Sequence, residues 1–131
     1  MEITSKHLQD NAVTYALQNA KSNRNVKDVE VLIRDYTYGL LQVERTGRLS
    51  TLKVYIADIY ILTAEKILAI ISEHPDINCI VVTSIWNSYT DMAKELAQEQ
   101  NIGVFTQKEF KVALNYYGKL FLETGNPTKT E

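Results

Sequence analysis

Proline, glycine and cysteine are all scarce in this chain. Two prolines and five glycines among 131 residues exclude a collagenous repeat or a Pro/Gly-rich low-complexity segment. The single cysteine, Cys79, has no partner for an internal disulfide, so a disulfide-framed miniprotein is excluded too. Charge of one sign is also missing. Fourteen Lys and Arg against sixteen Asp and Glu leave a formal charge of −2, which argues against an overall basic coat for nucleic acid and leaves room only for a local patch. No apolar run approaches the roughly 18 residues of a membrane-spanning helix, because Asp58, Glu65 and Lys66 interrupt the longest candidates. Met1 to His7 shows no basic region leading into an apolar one, as a signal peptide would require. The glycines, at 39, 47, 103, 118 and 125, are too scattered for a phosphate loop or a dinucleotide fingerprint. His7 and His74 stand alone, without a second ligand at the spacing zinc needs.

What is present is an ordinary globular composition, 45% apolar and 23% charged, enough for one core without metal or crosslinks. The expectation is one α/β domain over residues 1–124, with a loose tail at 125–131, in a reducing, cytoplasmic setting. Leu8, Ala12, Val13, Ala16, Leu17 and Ala20 recur at helical spacing and predict a helix over about residues 5–21. Three strand-like segments follow: Val29 to Ile33, Leu41 to Val43, and Leu52 to Ile61. Gly39 and Thr46-Gly47-Arg48 punctuate them, so an antiparallel meander is expected. The period then changes. Ala64, Ile67, Leu68 and Ile71 define a helix capped by Thr63 and stopped before Pro75. Ile80 to Thr83 reads as a buried strand holding the Cys79 thiol beside it, Met92 to Gln100 as a helix, and Ile102 to Phe105 as a short strand. Thr106 and Glu109 form a capping box opening a last helix through Phe110, Ala113, Leu114, Tyr117 and Phe121. The order α-βββ-α-β-α-β-α implies a mixed sheet with helices on both faces.

That order, with Cys79-Ile80-Val81-Val82-Thr83-Ser84, then Thr90-Asp91-Met92-Ala93-Lys94-Glu95-Leu96-Ala97, then Asn101 to Thr106 and Glu109-Phe110, resembles the restriction-endonuclease-like fold of the PD-(D/E)xK nuclease superfamily. The resemblance covers about half the chain in wording and the rest in element order. It implies a nuclease-related domain of a mobile-element, defence or repair system, acting on nucleic acid with Mg²⁺ held between two acids and a lysine orienting the attacking water. Carried onto this chain, the acids are Glu44 and Asp58. Tyr60 stands where the family places its lysine, and Lys66, one turn into the next helix, is the substitute, with Glu65 beside it as a further oxygen donor. A second alignment uses the first two strands, Asp35 with Gln42-Val43-Glu44, and leaves the Leu52 to Ile61 strand unaccounted for. Tyrosine cannot carry the lysine's charge, so the expected metal site is incomplete.

Arg34, Arg45, Arg48 and Lys53 all fall on the meander and would form a phosphate-binding patch if they shared a face. Tyr36 and Tyr38 flank the first turn and are candidates for stacking on a base or a protein. Trp86, Tyr89, Tyr116 and Tyr117 are aromatics that anchor their segments to the core or, in the second place, contact a partner, and Ser84 lies just past a buried strand, where α/β proteins place ligand contacts. A different class of function competes: a non-catalytic protein–protein interaction module, a homodimer among its forms, docking through aromatics. A nuclease must bring Glu44 and Asp58 within a few ångströms; an interaction module needs an exposed apolar patch instead.

Overall fold

Alternation and helical periodicity become regular structure with few departures. The computed structural model describes residues 10–35, 38–59, 61–83 and 88–125. Along the chain run α1 (Asp10–Lys21), β1 (Val26–Arg34), β2 (Tyr38–Arg45), β3 (Leu52–Ala57), β4 (Ile61–Leu62), α2 (Ala64–Glu73), β5 (Cys79–Val82), β6 (Ser88–Tyr89), α3 (Asp91–Glu99), β7 (Gly103–Thr106), α4 (Gln107–Ala113) and α5 (Gly118–Glu123). Five strands form one mixed sheet in the order β1-β2-β3-β5-β7, and β4 pairs with β6 in a separate two-stranded ribbon. The meander β1-β2-β3 is antiparallel, and β5 and β7 join parallel to β3, each reached through a crossover helix.

Strand side chains alternate between two cores, as the pleat requires. One face carries Leu41, Val54, Ile56, Val81 and Phe105 against α1, α4 and α5. The other carries Leu40, Tyr55, Ile80, Val82 and Val104 against α2 and α3. The parallel strand β5 is buried along its whole length, and its Cys79 thiol is pushed above the ordinary range by burial. Thr63 and Thr90 cap α2 and α3 through their side-chain oxygens, and the Thr106–Glu109 capping box closes reciprocally. Among the described residues no helix is long and apolar enough to cross a membrane.

Two elements differ from the sequence reading. The predicted third strand stops at Ala57, and Ile61–Leu62 form a separate strand paired with Ser88–Tyr89. The polar residue Asp58 lies at the break, 5% exposed. The predicted final helix divides into α4 and α5 at Gly118, whose φ of 64° an L side chain adopts with strain. Arg45 satisfies backbone groups at that break, its guanidinium donating to the carbonyls of Leu114 and Tyr116. The predicted first helix is seen from Asp10 onward; its start, with His7, and also Tyr36, Tyr60, Ser84, Trp86 and most of the tail, lie outside the described residues.

Gly103 shows how tightly the α5 side is filled. A Cβ there would fall 2.7 Å from Cε2 of Phe105 and 3.1 Å from Cε2 of Phe121. Those rings already meet edge-on, 5.2 Å between centroids, in the buried core. Gly103→Ala is therefore expected to lose about 1–3 kcal/mol through overpacking. A lower urea midpoint at unchanged slope is the predicted readout, and an unchanged midpoint would show that the rings can give way.

Candidate functional site

The sheet has two ends, and the register decides which residues each one holds. At the first end lie the β1–β2 turn and the C-termini of β3, β5 and β7. At the second lie the C-terminus of β2 and the N-termini of those three strands.

Asp58 belongs to the first end. It follows Ala57, which pairs with Tyr38 on one side and Val82 on the other, and Thr83 donates its N–H to the Ala57 carbonyl at 3.2 Å. Asp35 lies at the same end, donating its N–H to the Tyr38 carbonyl at 2.9 Å. Lys66 joins them: it is exposed on the first turn of α2, and its Nζ reaches back 3.2 Å to the Ile61 carbonyl, three residues beyond Asp58. Glu65 is exposed beside it.

Glu44 lies at the second end. Val43 pairs with Leu52, so Glu44 stands beyond the start of β3 while Asp58 stands beyond its finish. That length of strand separates them by about 20 Å. Two carboxylates ligate one Mg²⁺ only when each comes within about 2.1 Å of it, so the expected Glu44–Asp58 metal pair is not formed. The cause is antiparallel geometry, which brings the end of β3 to the beginning of β2, where Asp35 leads in, and away from its C-terminus. The acids sharing an end are Asp35, from the lower-ranked alignment, and Asp58, from the first. Among the described residues, no group of three or more His, Cys, Asp or Glu side chains could hold a metal ion.

The expected basic patch also comes apart. Arg34 sits at the first end, with Nη2 3.3 Å from Thr14 Oγ1. Arg48 is exposed in the β2–β3 turn at the second end. Lys53 is ion-paired with Asp76, whose carboxyl is lowered by that hydrogen bond. Arg45 is only 6% exposed and is structural. Its Nε donates to the Ser50 carbonyl at 2.7 Å, Nη1 to the carbonyls of Leu114 at 3.1 Å and Tyr116 at 2.7 Å, and Nη2 to Ser50 Oγ at 3.3 Å. Leu41, Val43 and Arg45 alternate onto one strand face, and the first two are core.

Tyr38 is committed to packing, not to an external partner. Its ring stacks on Tyr55 at 5.0 Å with 3° between planes, and His74 tilts against both. Burial, then the neighbouring Tyr38, pushes the Tyr55 hydroxyl up to about 12. Tyr89 is also held internally, donating to Glu109 Oε1 at 2.8 Å.

A second buried cation had gone unread. Lys94 is 3% exposed, with Nζ donating to the Val104 carbonyl and lying 4.7 Å from the Phe105 ring centre and 5.0 Å from that of Tyr89. Thr90, Ala93, Lys94 and Ala97 share one helical stripe, which was the available signal. Burial lowers the Lys94 amine to about 8. Comparison of the chain with protein-family models, with curated proteins and with solved structures finds no match.

Proposed function

We propose that this chain is a small nuclease-related domain of the restriction-endonuclease-like kind, with its working end at the C-terminus of β3 and a reduced metal site made of Asp35 and Asp58. One observation carries the reading: the register brings Asp58, a nearly buried acid just past the central strand, to the sheet end that also holds Asp35 and Lys66. The element order supports it, as does a general property of open α/β sheets, whose ligands gather beyond the carboxyl ends of parallel strands. Asp35 and Asp58 lie about two strand spacings apart, roughly 10 Å between backbones, a gap two aspartates can span through one cation. Two carboxylates are also what Mg²⁺ commonly takes while keeping most of its waters. When bound, Mg²⁺ supplies positive charge against a phosphodiester and lowers the pKa of a water. Asp35 and Asp58 would hold that ion, and Lys66, whose ammonium now donates to the Ile61 carbonyl, would take the role of the family's lysine.

The test is cleavage of single-stranded, duplex and branched DNA with Mg²⁺ or Mn²⁺. Asp58→Asn and Asp35→Asn are expected to lower the rate by about a hundredfold or more, the size of effect seen when one electrostatic stabiliser is removed. Glu44→Gln, at the far end, should retain full activity. Absence of both cutting and metal-dependent DNA binding in the wild type would sink the reading.

One observation favours the interaction module instead. Val112, Tyr116, Tyr117 and Leu120 are all exposed within 112–120, Leu120 at 65%. A concentration-dependent dimer abolished by Leu120→Glu, in a protein that neither cuts nor binds DNA, would favour that reading.

A further inference from the structure

At the second end of the sheet, remote from Asp58, a cavity of about 250 Å³ opens between the strand starts and α5. Arg45 lines it, together with Ser50, Asn78, Asn101 and Tyr117, and Leu52 and Phe121 supply apolar wall. No acidic residue is among those lining it.

The chemistry of the lining is one-sided. The Arg45 guanidinium is nearly buried, yet every hydrogen bond described for it goes to a carbonyl or a hydroxyl, and no described carboxylate pairs with it. A buried cation without a counter-charge is costly and attracts anions strongly where water is thin. Four of its five N–H groups are engaged, which leaves one Nη2 hydrogen over. Asn78 is clamped in a fixed orientation. Its backbone N–H donates to the Lys53 carbonyl at 2.8 Å, and its Oδ1 accepts from the Lys53 N–H at 2.7 Å. That bond holds the Asn78 carboxamide in place, with its NH₂ group able to donate to a ligand. Asn101, Ser50 and Tyr117 add further N–H and O–H groups around the opening. The Phe121 ring, 5.7 Å from the guanidinium carbon, gives the cation an aromatic backing.

We infer that this cavity is a binding site for a small organic anion, a carboxylate on a short apolar body. The carboxylate would meet Arg45 and the Asn78 amide, and the apolar part would lie against Leu52 and Phe121. The volume suits a molecule of benzoate size. The inference is independent of the nuclease reading, since the two sites occupy opposite ends of the sheet.

The experiment is an NMR titration of the ¹⁵N-labelled full chain with benzoate, acetate, phosphate and chloride at constant ionic strength. Side-chain signals of Arg45 Nε, Asn78 and Asn101 are followed. Benzoate is expected to give saturable shifts at these groups and to bind more tightly than acetate or phosphate. Asn101→Asp should weaken benzoate binding about tenfold or more by placing like charge at the opening. Aspartate tolerates the left-handed backbone at this position, φ 63°, so the variant is expected to fold. Three results would each overturn the proposal: no saturable shift with any anion, equal responses to chloride and benzoate, or undiminished benzoate binding by Asn101→Asp.

Discussion

Arg45→Met is expected to destabilise the protein by about 3 kcal/mol or more, lowering its melting temperature by roughly 10 °C. Methionine fills much the same volume but donates no hydrogen bond. The carbonyls of Ser50, Leu114 and Tyr116 would lose the guanidinium that now satisfies them. A carbonyl left buried without a partner costs about 1–3 kcal/mol, and partial access of water keeps the sum below three full penalties. The consequence is also local. The Leu114 and Tyr116 carbonyls hold the α4–α5 turn against the end of β2, so that turn should lose its hydrogen-exchange protection first. Arg45→Lys should recover little, since an ammonium cannot reach carbonyls on two sides with a planar fork. Thermal unfolding of the three proteins decides the matter, and a methionine variant melting within about 2 °C of wild type would refute the anchoring role.

Lys94→Met is expected to change how stability depends on pH. In the folded protein the Lys94 amine lies near 8, chiefly because burial disfavours its charged form, with Glu109 opposing the shift. In the unfolded chain it returns to its ordinary value of 10.5. Between the two values the unfolded chain binds a proton that the folded one does not, so stability from this group rises as pH rises from about 8 to about 10.5. Below 8 the amine is charged in both states and the whole desolvation cost is present. Cys79, Tyr55 and Tyr89 act in the opposite direction at high pH. Their protonated forms are favoured by folding, so their contribution is lost as pH climbs past their unfolded values of 9.0 for the thiol and 10.0 for the tyrosines. The difference between wild type and variant isolates Lys94. The wild type should gain about 2 kcal/mol on Lys94→Met between pH 7.5 and 10. Denaturant midpoints that run parallel across that range would show that the amine titrates normally.

Lys94 and Arg45 show where the sequence reading stopped short. Both lie on apolar stripes, Lys94 beside Ala93 and Ala97, Arg45 two residues beyond Val43. A charged residue on such a stripe is either buried with partners or turned out at an element's end, and the pattern alone does not distinguish these. The partners that hold Arg45 inside are Leu114 and Tyr116, about seventy positions away. The Glu44–Asp58 pairing failed for a related reason. Two acids on neighbouring strands look equivalent until the register is known, and the register sends one to each end of the sheet.

Local patterning by itself determined the order of the main elements, though not the β4–β6 ribbon or the α4–α5 break, together with the meander, the Thr63 and Thr106 caps and the all-buried strand at Cys79. These features depend on neighbours within about four residues or on period alone, which a chain displays whether folded or not. Only the tertiary structure decided the strand order β1-β2-β3-β5-β7, the separation of Glu44 from the sheet end that holds Asp35 and Asp58, the internal placement of Arg45 and Lys94, and the cavity beside Arg45. Each of those depends on contacts between segments far apart in the chain, where packing and the need to satisfy buried polar groups choose among arrangements that local propensity leaves equal.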